Sequence, residues 1–306
     1  MKHTLKIVLL LLGMFFLTQL IGLAVLQAYA PEIKQVKDAE GNIINITEYN
    51  LPYGTEPPQD NDPKINLISI IIALLIAIAL MFFLMRFQAQ IIIRLWFFII
   101  VSIAVGITLN AAFFNLPSAQ WIALLIALPL AFFKIYKRNI LVHNFTELMI
   151  YPGIAAIFVP LLNIWTVVLL LVFISLYDMY AVWHSGFMQK MAKYQIQHLR
   201  IFSGFFIPYL GKKEQEQLAS SKTKKVKDKK VKVSVAILGG GDVVFPIILA
   251  GVVLRQFGLF EALLIAIGAT LALAGLFYYS EKGKFYPAMP FISAGCFIAL
   301  ILAYII

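Results

Sequence analysis

Two carboxylates stand inside otherwise apolar stretches: Asp178 in LLLVFISLYDMYAVW (169–183) and Asp242 in VSVAILGGGDVVFPIILAGVVL (233–254). A charge at bilayer depth costs about 2.5–3.5 kcal/mol on insertion scales, so an acid within a span is a functional candidate by default. If two such acids meet, like-charge repulsion forbids double ionisation and the pair shares one proton. That state is prepared for hydrolysis. The ionised aspartate takes a proton from a water held between the two, while the protonated one donates to the oxygen of a peptide carbonyl. The product is a tetrahedral gem-diol, formed without a metal, a cofactor or a covalent enzyme intermediate.

The elements that must position these acids follow from composition. The chain has 306 residues, 61% apolar and 13% charged, with a mean hydropathy of +0.89. This is far outside the soluble range and marks a polytopic membrane protein. A span needs about 20 apolar residues, and such stretches occur near 5–29, 65–85, 91–114, 119–135, 141–159, 161–183, 233–254, 259–280 and 286–306. The expected fold is an all-α bundle of nine transmembrane helices, because in lipid each helix satisfies its own backbone. The fifth and sixth spans are separated on the strength of Pro152-Gly153 and Pro160. The first span, with Lys2, Lys6 and Ala28-Tyr29-Ala30, imitates a cleavable signal but is read as a retained helix because its apolar run is long.

Basic residues set the orientation. Lys2, Lys6, Arg86, Arg94, Lys134, Lys137, Arg138, Lys282 and Lys284 fall on one side of a nine-span topology, as do the twelve basic residues of the loop 188–232. That side is expected to be cytoplasmic, with the amino terminus inside and the carboxyl terminus outside. The chain therefore divides into helices one to six (1–187), a basic loop (188–232) and helices seven to nine (233–306). The net charge of +10 is concentrated in that loop. Its Lys222–Lys232 cluster has no interleaved aromatic residues, so it reads as a surface for anionic lipid and not as a nucleic-acid site.

In this topology Asp178 lies about ten residues, or about 15 Å, above the cytoplasmic end of the sixth helix, and Asp242 lies as deep in the seventh. Gly239, Gly240 and Gly241 remove side chains ahead of Asp242 and permit close approach or local unwinding. Tyr177 supplies a hydroxyl at the depth of Asp178.

At these residues the chain resembles the presenilin and signal peptide peptidase family of intramembrane aspartyl proteases. Tyr177-Asp178 matches the family's YD motif and Gly239-x-Gly241-Asp242 its GxGD motif. Pro287-Ala288-Met289 stands where the family has PAL, with Met289 a mild departure from leucine. The resemblance implies a nine-helix presenilin-like bundle and a catalytic pair of Asp178 and Asp242, with Tyr177, Gly239, Gly241, Pro287, Ala288 and Met289 supporting the site. It further implies transmembrane peptides or proteins as substrates, and no obligatory partner subunit. The short loops resemble archaeal homologues, which places the protein in the cell membrane of a prokaryote.

Lys230-Val231-Lys232-Val233-Ser234-Val235 alternates with period two, a strand signal. Its Val231, Val233 and Val235 are candidate docking positions for an unwound substrate strand; the competing reading is a lysine-rich start to the seventh helix. Pro208 and Pro246 are expected to kink or end helices. Glu147, a little over two turns past Arg138, is a weaker candidate for pairing with the basic side. Glu261 reads as interfacial, His184 as the cap of its span and Cys296 as packing. The alternative function is a proton- or cation-coupled transporter, which also needs buried carboxylates but should show duplicated halves. No duplication is visible. A nonenzymatic membrane scaffold is a third possibility.

Overall fold

The computed structural model describes residues 5–37, 43–58, 62–113, 116, 118–137, 139–185, 202–209, 234–281 and 286–306. Among them are nine α-helices: α1 (Leu5–Ala28), α2 (Pro63–Arg86), α3 (Gln90–Ala112), α4 (Ala119–Tyr136), α5 (Ile140–Phe158), α6 (Ile164–Tyr180), α7 (Gly240–Gln256), α8 (Leu259–Tyr279) and α9 (Met289–Ile305). Seven of these are long and apolar enough to cross a membrane; α7 and α9 have 17 residues each. An integral membrane bundle is thus observed; α6 also has 17 residues but continues through a π turn to His184, whereas α7 and α9 fall short of that length.

The bundle closes around α7, which packs against α1, α5, α6, α8 and α9. From Val243 to Val253 every residue of α7 except Phe245 is buried, as befits a helix apolar on all sides. The first helix is part of this core, with Gly22 directly against Ile247. By contrast, α2 buries no residue against protein, and its apolar side chains are left to lipid.

The boundary expected between the fifth and sixth spans (141–159 and 161–183) is met at Pro160, and only the other signal cited for it is corrected. Pro152 and Gly153 do not interrupt a span but lie inside α5. The break falls at a 3₁₀ turn, Val159–Leu161, after which Asn163 caps α6 in a reciprocal box with Thr166. Gly153 serves packing: a Cβ there would stand 1.9 Å from the carbonyl oxygen of Ala104 on α3.

The polar segments contain two antiparallel hairpins. In one, β1 (Glu32–Lys37) pairs with β2 (Ile43–Glu48), joined by a Lys34–Glu48 ion pair. Arg255 at the end of α7 ties this region down, donating to Val159 O at 3.0 Å and to the Tyr49 hydroxyl. The second hairpin pairs β3 (Gly204–Tyr209) with β4 (Ser234–Gly239). Pro208 lies in β3 and neither kinks nor ends a helix, and β4 occupies residues expected to open the seventh span.

Gly153→Ala forces α3 and α5 apart, and overpacking of this kind costs about 1–3 kcal/mol. Thermal unfolding in detergent should show a lowered midpoint. Gly275→Ala, whose new methyl meets nothing within 4 Å, should leave it unchanged or raised.

Candidate active site

Asp178 sits two residues before the end of α6, where the helix passes into a π turn, Ala181–Ser185. It is buried, and its carboxylate accepts the backbone N–H of Met289 at 3.1 Å and that of Ala288. Those amides open α9, so the acid occupies the positive end of a helix, where N–H groups lack intrahelical partners. Pro287 and Met289 are buried around this contact. One turn away, Ser175 donates to Ser293 at 2.9 Å, a second tie between α6 and α9.

Asp242 is the third residue of α7, and this corrects the expectation of an acid about ten residues into its helix. Gly239, in extended conformation (φ −64°, ψ 146°), is the N-cap, and the Asp242 carboxylate accepts its backbone N–H. This is one arm of a capping box, and the helix start again favours the negative charge. A Cβ on Gly239 would stand 3.1 Å from the Asp242 carboxylate. Glycine therefore leaves the acid its place. Gly241 is exposed and Asp242 half-buried. Pro246 supplies no N–H to the Asp242 carbonyl, and Gln19 of α1 donates to the next carbonyl, that of Val243, at 3.1 Å.

The two acids are brought near each other: α6 packs on α7, and Asp178 lies within electrostatic range of Asp242. Tyr177 is half-buried beside them. The strand does not end at Val235 as expected: among the described residues β4 covers Ser234–Gly239 and runs directly into the glycines. Val235 lies in β4; Val231 and Val233 lie outside the described residues.

Sequence reasoning did not foresee how α5 holds this corner. Asn144 accepts Phe206 N–H and donates to Phe206 O, each at 3.0 Å, and His143 Nε2 meets the Gly204 carbonyl at 2.9 Å. Glu147 pairs with Lys134 of α4, both side chains being buried. Removing one member of such a pair costs about 3–5 kcal/mol. The polar letters of α5 were visible in the sequence, but nothing local named their partners. His184 stacks on Tyr180 (centroids 5.8 Å apart) and Cys296 is buried as packing.

No curated protein matches this sequence significantly. Two solved structures, both described as a presenilin family intramembrane aspartate protease, share the fold. The form in space group C222 aligns with a TM-score of 0.60 at 18% identity, covering 97% of this chain and 98% of its own. The form in P2 aligns at 0.57 and 17% identity, covering 96% of each. The family model for signal-peptide peptidase and presenilin aspartyl proteases matches residues 43–306. These matches lend nothing to the transporter reading. The chain belongs to the signal peptide peptidase and presenilin family, and it is an intramembrane aspartic endopeptidase.

Proposed function

We propose that Asp178 and Asp242 are the catalytic pair of this protease, activating one water between them to cut a peptide bond inside a transmembrane segment. The observation that carries the reading is their meeting on α6 and α7, each anchored by backbone amides. One acid, ionised, removes a proton from the water as it attacks the scissile carbon. The other, protonated, donates to the carbonyl oxygen, and the gem-diol collapses as a proton passes to the departing nitrogen. Tyr177, Gly239, Gly241, Pro287, Ala288 and Met289 support the site through the contacts and packing described above.

The substrate is a membrane-spanning segment that unwinds locally, because a helical peptide bond is shielded by its own hydrogen bonds. Its unwound part adds to the open edge of β4. Phe206 spends both backbone groups on Asn144, so Phe206 and Ile237 form a non-hydrogen-bonded pair in the β3–β4 ladder. By alternation, the backbone groups of Val235, Ile237 and Gly239 point away from β3. The outer edge of β3 is covered by His143 and Asn144, whereas among the described residues no strand pairs with the outer edge of β4. Gly239 gives its N–H to Asp242 on that side, so a strand added there leads to the acid. The site faces the cytoplasmic half of a prokaryotic cell membrane, with the amino terminus inside and the carboxyl terminus outside. The basic loop rests on anionic lipid, and a single chain suffices for cleavage.

In detergent with a labelled transmembrane peptide, Asp178→Asn and Asp242→Asn should each lower cleavage by at least about 10³-fold, near the upper range of acid–base contributions. Both variants should remain folded, because asparagine still accepts the N–H groups. Wild-type cleavage by either would refute the pair. The wild-type pH–rate profile should be bell-shaped, reporting the pair and not either residue; a flat profile counts against it.

Ile237→Pro removes an N–H from the open edge but none from the β3 ladder. With net hydrogen bonds worth about 1 kcal/mol each, kcat/KM should fall about five- to ten-fold while the fold survives. Unchanged cleavage would exclude strand addition at β4.

A further inference from the structure

Beside Gly240 the structure holds a polar cluster that the catalytic scheme leaves unused. Glu147 of α5 is fully buried (0% exposed) and takes Lys134 on one carboxylate oxygen and the hydroxyl of Tyr151 on the other. Lys134 also reaches His143 Nδ1 at 3.3 Å. An imidazole carrying its hydrogen on Nε2 satisfies both of its contacts, accepting from Lys134 and donating to Gly204 O. Tyr151 is 1% exposed, accepts from the Ser203 hydroxyl and crosses Phe205 edge-on at 5.9 Å.

This cluster bears on Asp242 by a short path. A Cβ on Gly240 would lie 2.8 Å from the Tyr151 hydroxyl and 3.1 Å from Ser203 Oγ, so the tyrosine fills the space beside the first turn of α7. Gly240 N–H donates to Ser203 O at 3.3 Å, and Tyr151 interacts electrostatically with Asp242. Stability alone gives no reason for such a group, because buried ion pairs are often replaceable by apolar side chains without loss. Its geometry does. With both Glu147 oxygens engaged, the direction of the Tyr151 hydroxyl is fixed, and with it the corner from which Asp242 projects.

We infer that Tyr151, oriented by the Lys134–Glu147 pair, is a positioning residue for Asp242: it sets where the first turn of α7 stands and so how the carboxylate meets Asp178. The inference rests on the two-aspartate reading proposed above.

The test measures cleavage of a transmembrane peptide by the full-length protein in detergent, with active sites counted by titration with a tight inhibitor. The probe is a peptide isostere whose hydroxyl mimics the gem-diol. Tyr151→Phe keeps the ring and removes the hydroxyl. Its kcat per active site should fall about ten-fold or more with KM within about two-fold, the pattern of an interaction made in the transition state. Affinity for the isostere should weaken in step. A merely structural role would lower the active fraction and leave kcat per active site and isostere affinity unchanged; that result overturns the inference.

Two double variants keep the test decisive if Tyr151→Phe does not fold. Lys134→Met with Glu147→Gln is neutral and still accepts from Tyr151, so it should retain kcat within about three-fold, while Lys134→Met with Glu147→Leu should match the loss expected of Tyr151→Phe. Equal kcat in the two overturns the inference. Asp178→Asn and Asp242→Asn are run alongside. If they are inactive and Tyr151→Phe is normal, positioning alone fails; if they cleave, the two-aspartate reading fails with it.

Discussion

A carboxylate inside a membrane protein must be given hydrogen-bond donors by the protein, because lipid offers none and an unsatisfied charge is costly. Here the donors are backbone amides at helix starts. Asp178 takes those opening α9, and Asp242 takes that of its own N-cap, Gly239. The helices that begin at the acids, α7 and α9, have 17 residues each. Among the described residues the chain just ahead of each start, 234–239 and 286–288, is non-helical, a condition tolerated within a membrane only where protein satisfies its backbone. For α7 the solution is a hairpin: β4 pairs with β3, and α5 covers the other edge of β3 through His143 and Asn144.

The same constraint explains what was legible in the sequence. Asp178 and Asp242 stood out because an acid among apolar residues breaks the local rule, and rule-breaking positions tend to be functional. The helical architecture followed from apolar length. The start of α7 did not, because VSVAIL is apolar and β-branched, and such a run reads equally as strand or as helix. What decides is the pairing of Gly204 with Gly239 and of Phe205 with Leu238, made by a segment far away in sequence. The strand signal was real, and the described strand runs four residues past its expected end, to Gly239. Pro152-Gly153 misled for a related reason: a membrane helix tolerates proline where neighbours support it, and Gly153 is there to admit the Ala104 carbonyl, not to break a helix.

Contacts between polar residues on separate helices left no local trace. Ser175 and Ser293 are 118 residues apart in sequence and each resembles an incidental serine in an apolar helix, yet they tie α6 to α9 one turn from Asp178. Glu147 was visible as an odd acid near a basic end. Its engagement by Lys134 and Tyr151 depends on α4 packing against α5, which periodicity does not encode.

These ties divide the surroundings of the acids into two groups of helices. Asp178 belongs with α6 and α9, joined at Met289 and again at Ser175–Ser293. Asp242 belongs with α7, whose first turn is fixed by Ser203 and Tyr151 and whose next carbonyl is held by Gln19. Each carboxylate is bonded to backbone, so a rotamer change that separated them would surrender those bonds in a place with few replacements. A change in their separation is therefore a movement of α6 with α9 against α7 with α5, resisted by apolar packing on α7 and not by any direct bond between the acids. The geometry of the proposed catalytic pair is thus a property of helix packing, and it is read out at the two side chains.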